Sequence, residues 1–378
     1  MITPHSADAI VVGAGLVGLA VAQALADSGA DVLLLAADRP GEASPAAAGL
    51  LAPSVAPWRG PAQAFAVAAR EFYPEYLAAL QARTGVDVPL DRRGILELAP
   101  DEAEAARLRA AMPEGASWVD RATLEALEPE LGPSAGALFH PHDGAVDNLG
   151  LIKALERLLA HSPRVRVLRA TVERVALHTD GATVDAGSVG RFAAGRLVLA
   201  AGAWAPALAG LPRRIPVEPV RGEIISVAYG GLRHVVLGGG GYAVPREGGQ
   251  TLVGATSERA GFDASLTDAG VAALREIAAK IAPPLGGARM LGARAGLRPM
   301  TPDLLPILGP DPDWPALLYA CGQSRNGILM APLTGACLAA IAEGGPSPLD
   351  LSPFRPDRFS SRQRSSSGGS GRDEAPTV

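Results

Sequence analysis

Cysteine and lysine are scarce in this sequence. Cys321 and Cys337 are the only two cysteines among 378 residues. So few thiols exclude a disulfide-framework protein and fit a reducing compartment. Lys153 and Lys280 are the only lysines, which leaves two candidate amines for Schiff-base chemistry, and we set that chemistry aside. We expect the fold to be held together by burial of apolar side chains.

Long runs of one charge sign are absent before a short C-terminal stretch rich in Arg and Ser. The formal net charge of −5 and the lack of basic clusters argue against nucleic acid as a partner. No charged segment followed by an apolar core and a small-residue cleavage site opens the chain, so we expect a cytoplasmic protein. Residues 9–26 are uncharged and reach the lower length of a membrane span, roughly 17 residues. Their glycines and a change of period argue against a span.

The overall composition is that of a folded protein. An apolar fraction of 48% excludes disorder over the whole chain, and glycine without a three-residue period excludes a collagen-like chain. A length of 378 residues exceeds what one compact core usually supports. The sequence therefore predicts two domains or one elaborate α/β unit.

The N-terminal segment has the order strand, glycine loop, helix. Residues 9–12 form a short apolar run rich in β-branched side chains, which predicts a strand covered on both faces of a parallel sheet. Residues 19–26 favour a helix, and Asp27-Ser28-Gly29 ends it. Between them lies a G-x-G-x-x-G motif made of Gly13, Ala14, Gly15, Leu16, Val17 and Gly18. This order predicts a dinucleotide-binding loop.

Each glycine of this loop has a mechanical task. Gly13 allows the tight turn, Gly15 lets the backbone approach a pyrophosphate, and Gly18 lets the helix pack closely on the strand. The helix N-terminus offers unpaired N–H groups to the phosphates. The alternative is a loop that is glycine-rich by chance in a chain heavy in alanine and glycine.

The second strand, predicted over residues 31–35, weakens the dinucleotide pattern at its end. An Asp or Glu commonly binds the ribose hydroxyls there, but the position holds Ala36, and the nearest acid is Asp38. Either Asp38 reaches back to the ribose, or backbone and water hold it.

Further segments are rich in small residues or carry charged motifs. They are GEASPAAAGLL (41–51), GRLVLAAGAW (195–204), VEPVRGE (217–223), YAVPR (242–246), VGAT (253–256), AGLRPMTPD (295–303) and CGQSRNGILMAP (321–332). In this order the segments resemble the D-amino acid oxidase superfamily of FAD-dependent enzymes, and within it the glycine oxidases of thiamine biosynthesis. The resemblance extends from residue 9 to residue 343.

The resemblance implies an α/β fold. A Rossmann-like FAD-binding domain of the glutathione-reductase type is joined to a substrate domain built on an antiparallel sheet. We expect the FAD-binding domain to comprise 1–84, 145–215 and 297–350, and the substrate domain to comprise 85–144 and 216–296. Residues 351–378 are predicted to be a disordered tail, because Ser, Gly, Arg and Pro dominate the end of the chain.

The resemblance also implies non-covalent FAD. Related sarcosine oxidases attach flavin to a cysteine, and residues 296–300 of this chain offer no thiol. Leu16 and Val17 are expected at the pyrophosphate, and Ala36 and Ala37 at the adenosine ribose. The other implied cofactor contacts are Asp38, Ala43, Ser44, Ala48, Gly49, Leu50, Val172, Ala201, Gly202, Trp204, Gln323, Ser324, Arg325, Asn326, Gly327, Ile328 and Leu329. Gln323 and Ser324 depart from the family, which commonly has a histidine and an aromatic residue there.

Three residues match the substrate-binding positions of the family. Arg298 matches the arginine that binds the substrate carboxylate, for which the two parallel donors of a guanidinium are suited. Tyr242 matches a tyrosine that adds a hydroxyl to the same group, and Arg325 matches a residue facing the substrate. The alternatives are a solvated or salt-bridged arginine and a strand-edge tyrosine.

The implied reaction is oxidation of glycine, another small amine or a D-amino acid. A neutral amine loses hydride from Cα to the flavin N5, so no protein base and no metal are expected. The imine then hydrolyses to an oxo acid and ammonia, and oxygen is reduced to hydrogen peroxide. Three alternatives stay open: a dehydrogenase that passes electrons to a quinone or carrier protein, a flavin-binding module without turnover, and a flavoprotein domain acting on tRNA. The sequence leaves homo-oligomer formation open.

Overall fold

The computed structural model describes residues 5–359. The strands are β1 (His5–Val12), β2 (Val32–Ala36), β3 (Leu50–Leu51), β4 (Leu90–Asp91), β5 (Ile95–Ala99), β6 (Ser117–Asp120), β7 (Gly136–His140), β8 (Gly144–Val146), β9 (Val165–Arg169), β10 (Arg174–His178), β11 (Gly181–Asp185), β12 (Arg191–Leu199), β13 (Glu218–Ala228), β14 (Val235–Gly238), β15 (Gly241–Arg246), β16 (Gln250–Gly254), β17 (Met290–Met300), β18 (Ile307–Pro310) and β19 (Leu317–Cys321).

Helices lie at the N-terminus, between the strands and near the C-terminus. They are α1 (Leu16–Asp27), α2 (Ala43–Ala46), α3 (Gly60–Thr84), α4 (Glu102–Ala110), α5 (Arg121–Leu127), α6 (Asn148–Ala160), α7 (Asp268–Ile281), α8 (Pro283–Gly287) and α9 (Gly327–Ala342). Short 3₁₀ turns cover Gly187–Val189, Gly202–Ala207, Ser352–Phe354 and Pro356–Phe359. None of the helices within residues 5–359 combines the length and apolarity needed to cross a membrane.

The first sheet is built on five parallel strands in the order β9-β2-β1-β12-β19. The β10–β11 hairpin adds antiparallel strands next to β12, and β18 pairs antiparallel with β19. Along β1, Val11 packs into one apolar cluster, while Ile10 and Val12 pack into another on the opposite face. Helices α1, α3, α6 and α9 supply the first of these clusters. This burial of both faces explains the continuous apolar run of β1.

The second sheet has the strand order β17-β13-β16-β15-β14-β5-β7-β6. Its neighbours are antiparallel, except that β14 pairs in parallel with β5. One face packs on α7 through Leu274, Ala278 and Ile281, so the apolar stripe of this helix faces the core. A small third sheet has the antiparallel strand order β3-β8-β4. The α/β fold with an antiparallel second sheet is the fold that the sequence predicts.

The predicted domain boundaries cut two strands, β8 of the third sheet and β17 of the second sheet. Strands of the first sheet fall within 1–84, 145–215 and 297–350, and those of the second sheet begin within 85–144 and 216–296. The boundary between 296 and 297 falls inside β17. Arg298 therefore stands on the second sheet, and the division itself stays a prediction.

The prediction of a disordered tail from residue 351 is wrong for 351–359. Phe354 is fully buried, and its ring lies 5.3 Å from the Phe65 ring, centroid to centroid. Arg358 Nε donates to Asp303 Oδ2 at 2.8 Å. These contacts anchor a segment whose composition alone suggested disorder, because one buried aromatic ring outweighs several polar neighbours. The rest of the predicted tail, 360–378, lies outside the described residues.

Candidate active site

The loop between β1 and α1 is shaped by its glycines. Gly13 has φ 109°, and a Cβ there would lie 2.4 Å from the carbonyl oxygen of Ala200. A Cβ at Gly18 would lie 1.8 Å from the carbonyl oxygen of Gly13. Gly15 differs, because its Cβ would meet only Ser44 Oγ, at 3.4 Å. Gly13 and Gly18 permit the fold, whereas Gly15 leaves space open in front of the helix N-terminus.

An elongated cavity of about 600 Å³ extends from this loop to the face of the second sheet. It is lined by small residues of the first sheet and its loops, and by side chains of β13, β15 and β17. The predicted site residues that line it are Gly13, Ala14, Gly15, Val17, Ala37, Ala43, Ser44, Leu50, Val172, Ala201, Gly202, Trp204, Tyr242, Arg298, Gln323, Ser324, Arg325, Asn326, Gly327, Ile328 and Leu329. The structure thus brings residues from seven separate stretches of the chain to one cavity.

A few predicted cofactor residues do not line the cavity. They are Leu16, Gly18, Ala36, Asp38, Ala48 and Gly49. The backbone N–H of Leu16 donates to Ser44 Oγ at 3.0 Å. Asp38 forms an ion pair with Arg169, and both side chains are exposed.

The cavity-lining segment 41–49 is held by donors from other parts of the chain. The donors are Leu297 N–H to the carbonyl of Gly41, Asn148 Nδ2 to Ser44, Arg294 Nη2 to Ala47, Arg246 Nη2 to Ala48 and Val146 N–H to Gly49, at 2.7 to 3.1 Å. We name Arg246 and Arg294 the carbonyl-binding arginines. The sequence analysis assigned them no role. The available signal was their spacing, since each lies four residues from a predicted substrate residue on its own strand and so shares its face.

At the second-sheet end, Arg298 lies across a glycine. A Cβ at Gly222 would lie 2.0 Å from Arg298 Nη1, so the sheet provides room for the guanidinium. Arg298 Nη1 donates to the carbonyl oxygen of Thr256 at 3.0 Å. Thr256 lies in the quoted VGAT motif, but its orienting role follows only from this contact.

Tyr242 lies beside Arg298 on the same face of the sheet. Its ring packs over Gly254, where a Cβ would come within 2.4 Å of the ring. Burial raises the pKa of Tyr242, and the charges of Arg298, Arg294 and Arg246 partly oppose this rise. The phenol is therefore a neutral hydrogen-bond donor at neutral pH.

Arg325 adds a second guanidinium at this end. It lies between β19 and α9, lines the cavity and makes no hydrogen bond or ion pair with another described residue. Burial, and then the neighbouring charge of Arg298, lower the pKa of Arg325. Arg298 is half-buried and Arg325 is exposed. Neither cation has an acidic partner among the described residues, so this end is suited to an anion.

Gln323 is the clearest unsatisfied group of the cavity. It is 3% exposed, lines the cavity, and both its Oε1 and Nε2 lack a hydrogen-bond partner among residues 5–359. Buried polar groups normally have partners. Gln323 precedes the N-terminus of α9, so its amide and the backbone N–H groups of that end fit a polar ring edge. Together with the open space at Gly15, these residues fit a bound FAD.

Titratable groups other than arginine are few in the cavity. Glu42 is the one carboxylate among its described lining residues, which include no histidine or lysine. Burial raises the pKa of the Cys321 thiol to about 12, so this lining cysteine is a neutral thiol at neutral pH.

The part of the chain that the structure describes contains no cluster of three or more His, Cys, Asp or Glu side chains suited to a metal ion. In the His-Pro-His-Asp sequence at 140–143, the aspartate serves as a hydrogen-bond acceptor. Asp143 accepts hydrogen bonds from Arg70 Nη1 at 2.7 Å and from the Ser54 backbone N–H at 2.9 Å.

A parallel sheet with a glycine loop, a long cavity and a cationic far end defines a dinucleotide-binding protein that also takes an anionic small molecule. The family described as FAD dependent oxidoreductase matches residues 8–341. The chain belongs to this family, and its cofactor is FAD.

Individual relatives extend this assignment. The chain is 34% identical over 364 residues to the glycine oxidase of Geobacillus kaustophilus, covering 93% of this chain and 96% of that protein. The crystal structure of glycine oxidase from G. kaustophilus superposes with a TM-score of 0.87, covering 94% of this chain and 99% of that one. The resemblance to the D-amino acid oxidase superfamily and its glycine oxidases is confirmed.

Two further relatives carry other names. The bifunctional protein ThiO/ThiG of Synechocystis sp. is 35% identical over 369 residues, which cover 94% of this chain and 54% of that protein. The crystal structure of iminodiacetate oxidase from Chelativorans sp. superposes with a TM-score of 0.82 at 28% identity, covering 92% of this chain and 98% of that one.

Proposed function

We propose that this FAD-dependent enzyme oxidises the α-amine of glycine, of another small amine or of a D-amino acid. The imine formed hydrolyses to an oxo acid and ammonia. The observation that carries the proposal is the position of Arg298, a guanidinium fixed in the cavity beside Tyr242. The similarity of this chain to the glycine oxidase of G. kaustophilus, in both sequence and structure, supports the choice of substrate.

Arg298 binds the substrate carboxylate in this proposal. The Thr256 carbonyl accepts one N–H of Nη1, which fixes the plane of the guanidinium and leaves other N–H groups for two parallel bonds to a carboxylate. Tyr242 donates its hydroxyl to the same group. These contacts orient the Cα–H bond within the cavity.

Among the described lining residues, no side chain at this end is suited to remove a proton from the substrate. The one carboxylate among the described lining residues, Glu42, is influenced by Asp38, which follows β2, and by Arg169, which ends β9 of the first sheet. The substrate amine must therefore arrive neutral, so that its own lone pair forms the imine bond. FAD supplies the two-electron acceptor when it is bound.

We propose that FAD is held non-covalently, with its diphosphate at residues 13–17, and that residues 323–329 border its ring. The neutral thiol of Cys321 supports this, because a thiolate would be needed for attachment. Acid denaturation should release all the flavin into solution. Flavin that stays with the precipitated chain would contradict the proposal.

Oxygen is the proposed electron acceptor, with hydrogen peroxide as product, and thiamine biosynthesis in the cytoplasm is the proposed setting. The relative named ThiO/ThiG supports the setting, and two buried free cysteines fit a reducing compartment. The competing proposal is a dehydrogenase that passes electrons to a quinone or carrier protein.

Iminodiacetate is a second candidate substrate. Arg325 has no acidic partner among the described residues. The second carboxymethyl group on the nitrogen of iminodiacetate would supply one. The structural similarity to an iminodiacetate oxidase supports this choice.

The deciding experiment follows the flavin spectrum of the purified enzyme without oxygen. Glycine, sarcosine, D-alanine, D-proline and iminodiacetate are added separately, and bleaching of the visible band identifies substrates. Air is then admitted and peroxide is measured, with a quinone-like dye as the alternative acceptor. Bleaching by none of these amines would contradict the proposed function. Rapid dye reduction with slow reoxidation in air would favour the dehydrogenase.

A further inference from the structure

The group that binds the adenosine ribose of FAD is not where the sequence pattern places it. Ala36 occupies the usual acidic position at the end of β2. Asp38, the nearest acid, lies outside the cavity lining and forms an exposed ion pair with Arg169. Its carboxylate is therefore already engaged on the protein surface.

Glu42 is the carboxylate that does line the cavity. It directly precedes α2, yet its side chain makes no capping hydrogen bond to that helix, and it forms no ion pair with a described residue. The backbone N–H of Arg39 lowers the pKa of its carboxyl group. Most of the acceptor capacity of this carboxylate is thus free.

The neighbours of Glu42 place it at the adenosine end of the cavity. The charges that act on it belong to Asp38, Glu156 and Arg169. Asp38 follows β2, and Arg169 ends β9, the strand next to β2 in the sheet. Arg298 and Arg325 of the substrate end are not among these charges.

We propose that Glu42 binds the 2′- and 3′-hydroxyls of the adenosine ribose, in the role that the sequence pattern assigns to an acid at position 36. A vicinal diol offers two neutral donors, which match the two oxygens of one carboxylate. Burial raises the pKa of Glu42, which shows that its charged form is short of compensating contacts, and the hydroxyls would supply them.

The test measures FAD affinity and needs no substrate. Flavin is removed from the full-length protein, and the Kd for FAD is measured by flavin fluorescence for the wild type, Glu42→Gln and Asp38→Asn. The same titrations use an FAD analogue whose adenosine lacks the 2′-hydroxyl. Both substitutions turn an acid into an amide of the same shape, so each is the matched control of the other.

We expect Glu42→Gln to raise the Kd for FAD about tenfold, from the loss of one or two charge-assisted hydrogen bonds, and Asp38→Asn to leave it within about twofold. The increase in Kd caused by Glu42→Gln should be smaller for the deoxy analogue than for FAD. The analogue has no 2′-hydroxyl, so the hydrogen bond to this group is already absent in the wild type. Glu42→Asp, which keeps the charge on a shorter side chain, should lie between wild type and Glu42→Gln.

An unchanged Kd in Glu42→Gln, an equal penalty with both ligands, or a larger effect of Asp38→Asn would overturn the proposal. Circular dichroism of the flavin-free proteins checks folding, and Glu42→Asp serves if Glu42→Gln does not fold. A protein that binds FAD through Glu42 but fails to oxidise glycine would overturn the proposed function and leave this inference intact.

Discussion

The two ends of the cavity present different chemical groups. At the first sheet, the glycine loop and the segment 41–49 offer mainly backbone and small side chains. At the second sheet, Arg298, Tyr242 and Arg325 offer charged or polar side chains that project from strands and from the loop before α9.

Under the proposed function, this difference separates affinity for the cofactor from recognition of the substrate. At the first-sheet end, binding depends on the absence of large side chains. Adding side-chain atoms there should therefore be the most damaging change. At the second-sheet end, binding depends on individual hydrogen-bond donors. Removing one of them should cost the binding free energy of a single contact. The following predictions test this contrast, in order of decreasing effect.

Gly15→Val should abolish FAD retention. The backbone at Gly15 is extended, with φ −66° and ψ 172°, so valine can adopt it, but its branched side chain would occupy the phosphate approach. The measurement is the ratio of flavin to protein absorbance after purification. Gly292→Val is the matched control, because nothing lies within 4 Å of a Cβ there. A yellow Gly15→Val protein with full flavin content would refute the assignment.

Arg298→Met should lower kcat/KM for glycine on the order of 100-fold while FAD stays bound. Removing one partner of a desolvated charge pair costs about 3 kcal/mol, and the loss should appear mainly in KM. Steady-state peroxide production measures it. The control is Arg107→Met, which removes an arginine from the exposed Glu104 pair on α4. Unchanged glycine kinetics would remove Arg298 from the site.

Arg294→Met should raise the Kd for FAD about tenfold. It removes a charged donor, worth about 1.5 kcal/mol or more, from the Ala47 carbonyl and so loosens the segment that lines the cavity. Arg275→Met is the control, because Arg275 also binds backbone carbonyls, those of Gly286 and Ala288, away from the cavity. Both variants should lose thermal stability. Equal FAD affinity in the two would show that Arg294 has no specific role at the cofactor.

Tyr242→Phe should lower kcat/KM for glycine only about fivefold, the cost of one hydrogen bond of about 1 kcal/mol. The raised pKa of Tyr242 keeps the phenol protonated, so its ionisation does not limit activity near neutral pH. If kcat/KM rises with pH, the cause is the growing fraction of neutral substrate amine. The slope should therefore persist in Tyr242→Phe, and its disappearance would implicate the tyrosine as a proton acceptor.

The first-sheet end could be predicted from the sequence in some detail. The glycine loop and the apolar run of β1 depend on residues within a few positions of each other, and their conformation is set by local sterics. Asp38 is the exception, because its partner Arg169 comes from another strand. The quoted motif order also identified the family, which the comparisons confirm.

The second-sheet end could be predicted only where a family position supplied it. Arg298 and Tyr242 were expected, whereas Thr256 and the carbonyl-binding arginines were not assigned a role. Their roles depend on the register in which β13, β15 and β17 are placed in one sheet. A shift of one residue would turn each side chain to the other face.

By itself, the sequence determined the α/β class, the glycine loop between β1 and α1, and the family. The tertiary structure alone decided which acid lines the cavity, which arginines bind the 41–49 carbonyls, and that Phe354 anchors residues beyond 350. The physical reason is the separation along the chain of the residues that decide each feature. Local backbone conformation follows from neighbouring residues. A contact between residues far apart in the chain exists only after strand register and packing have been fixed.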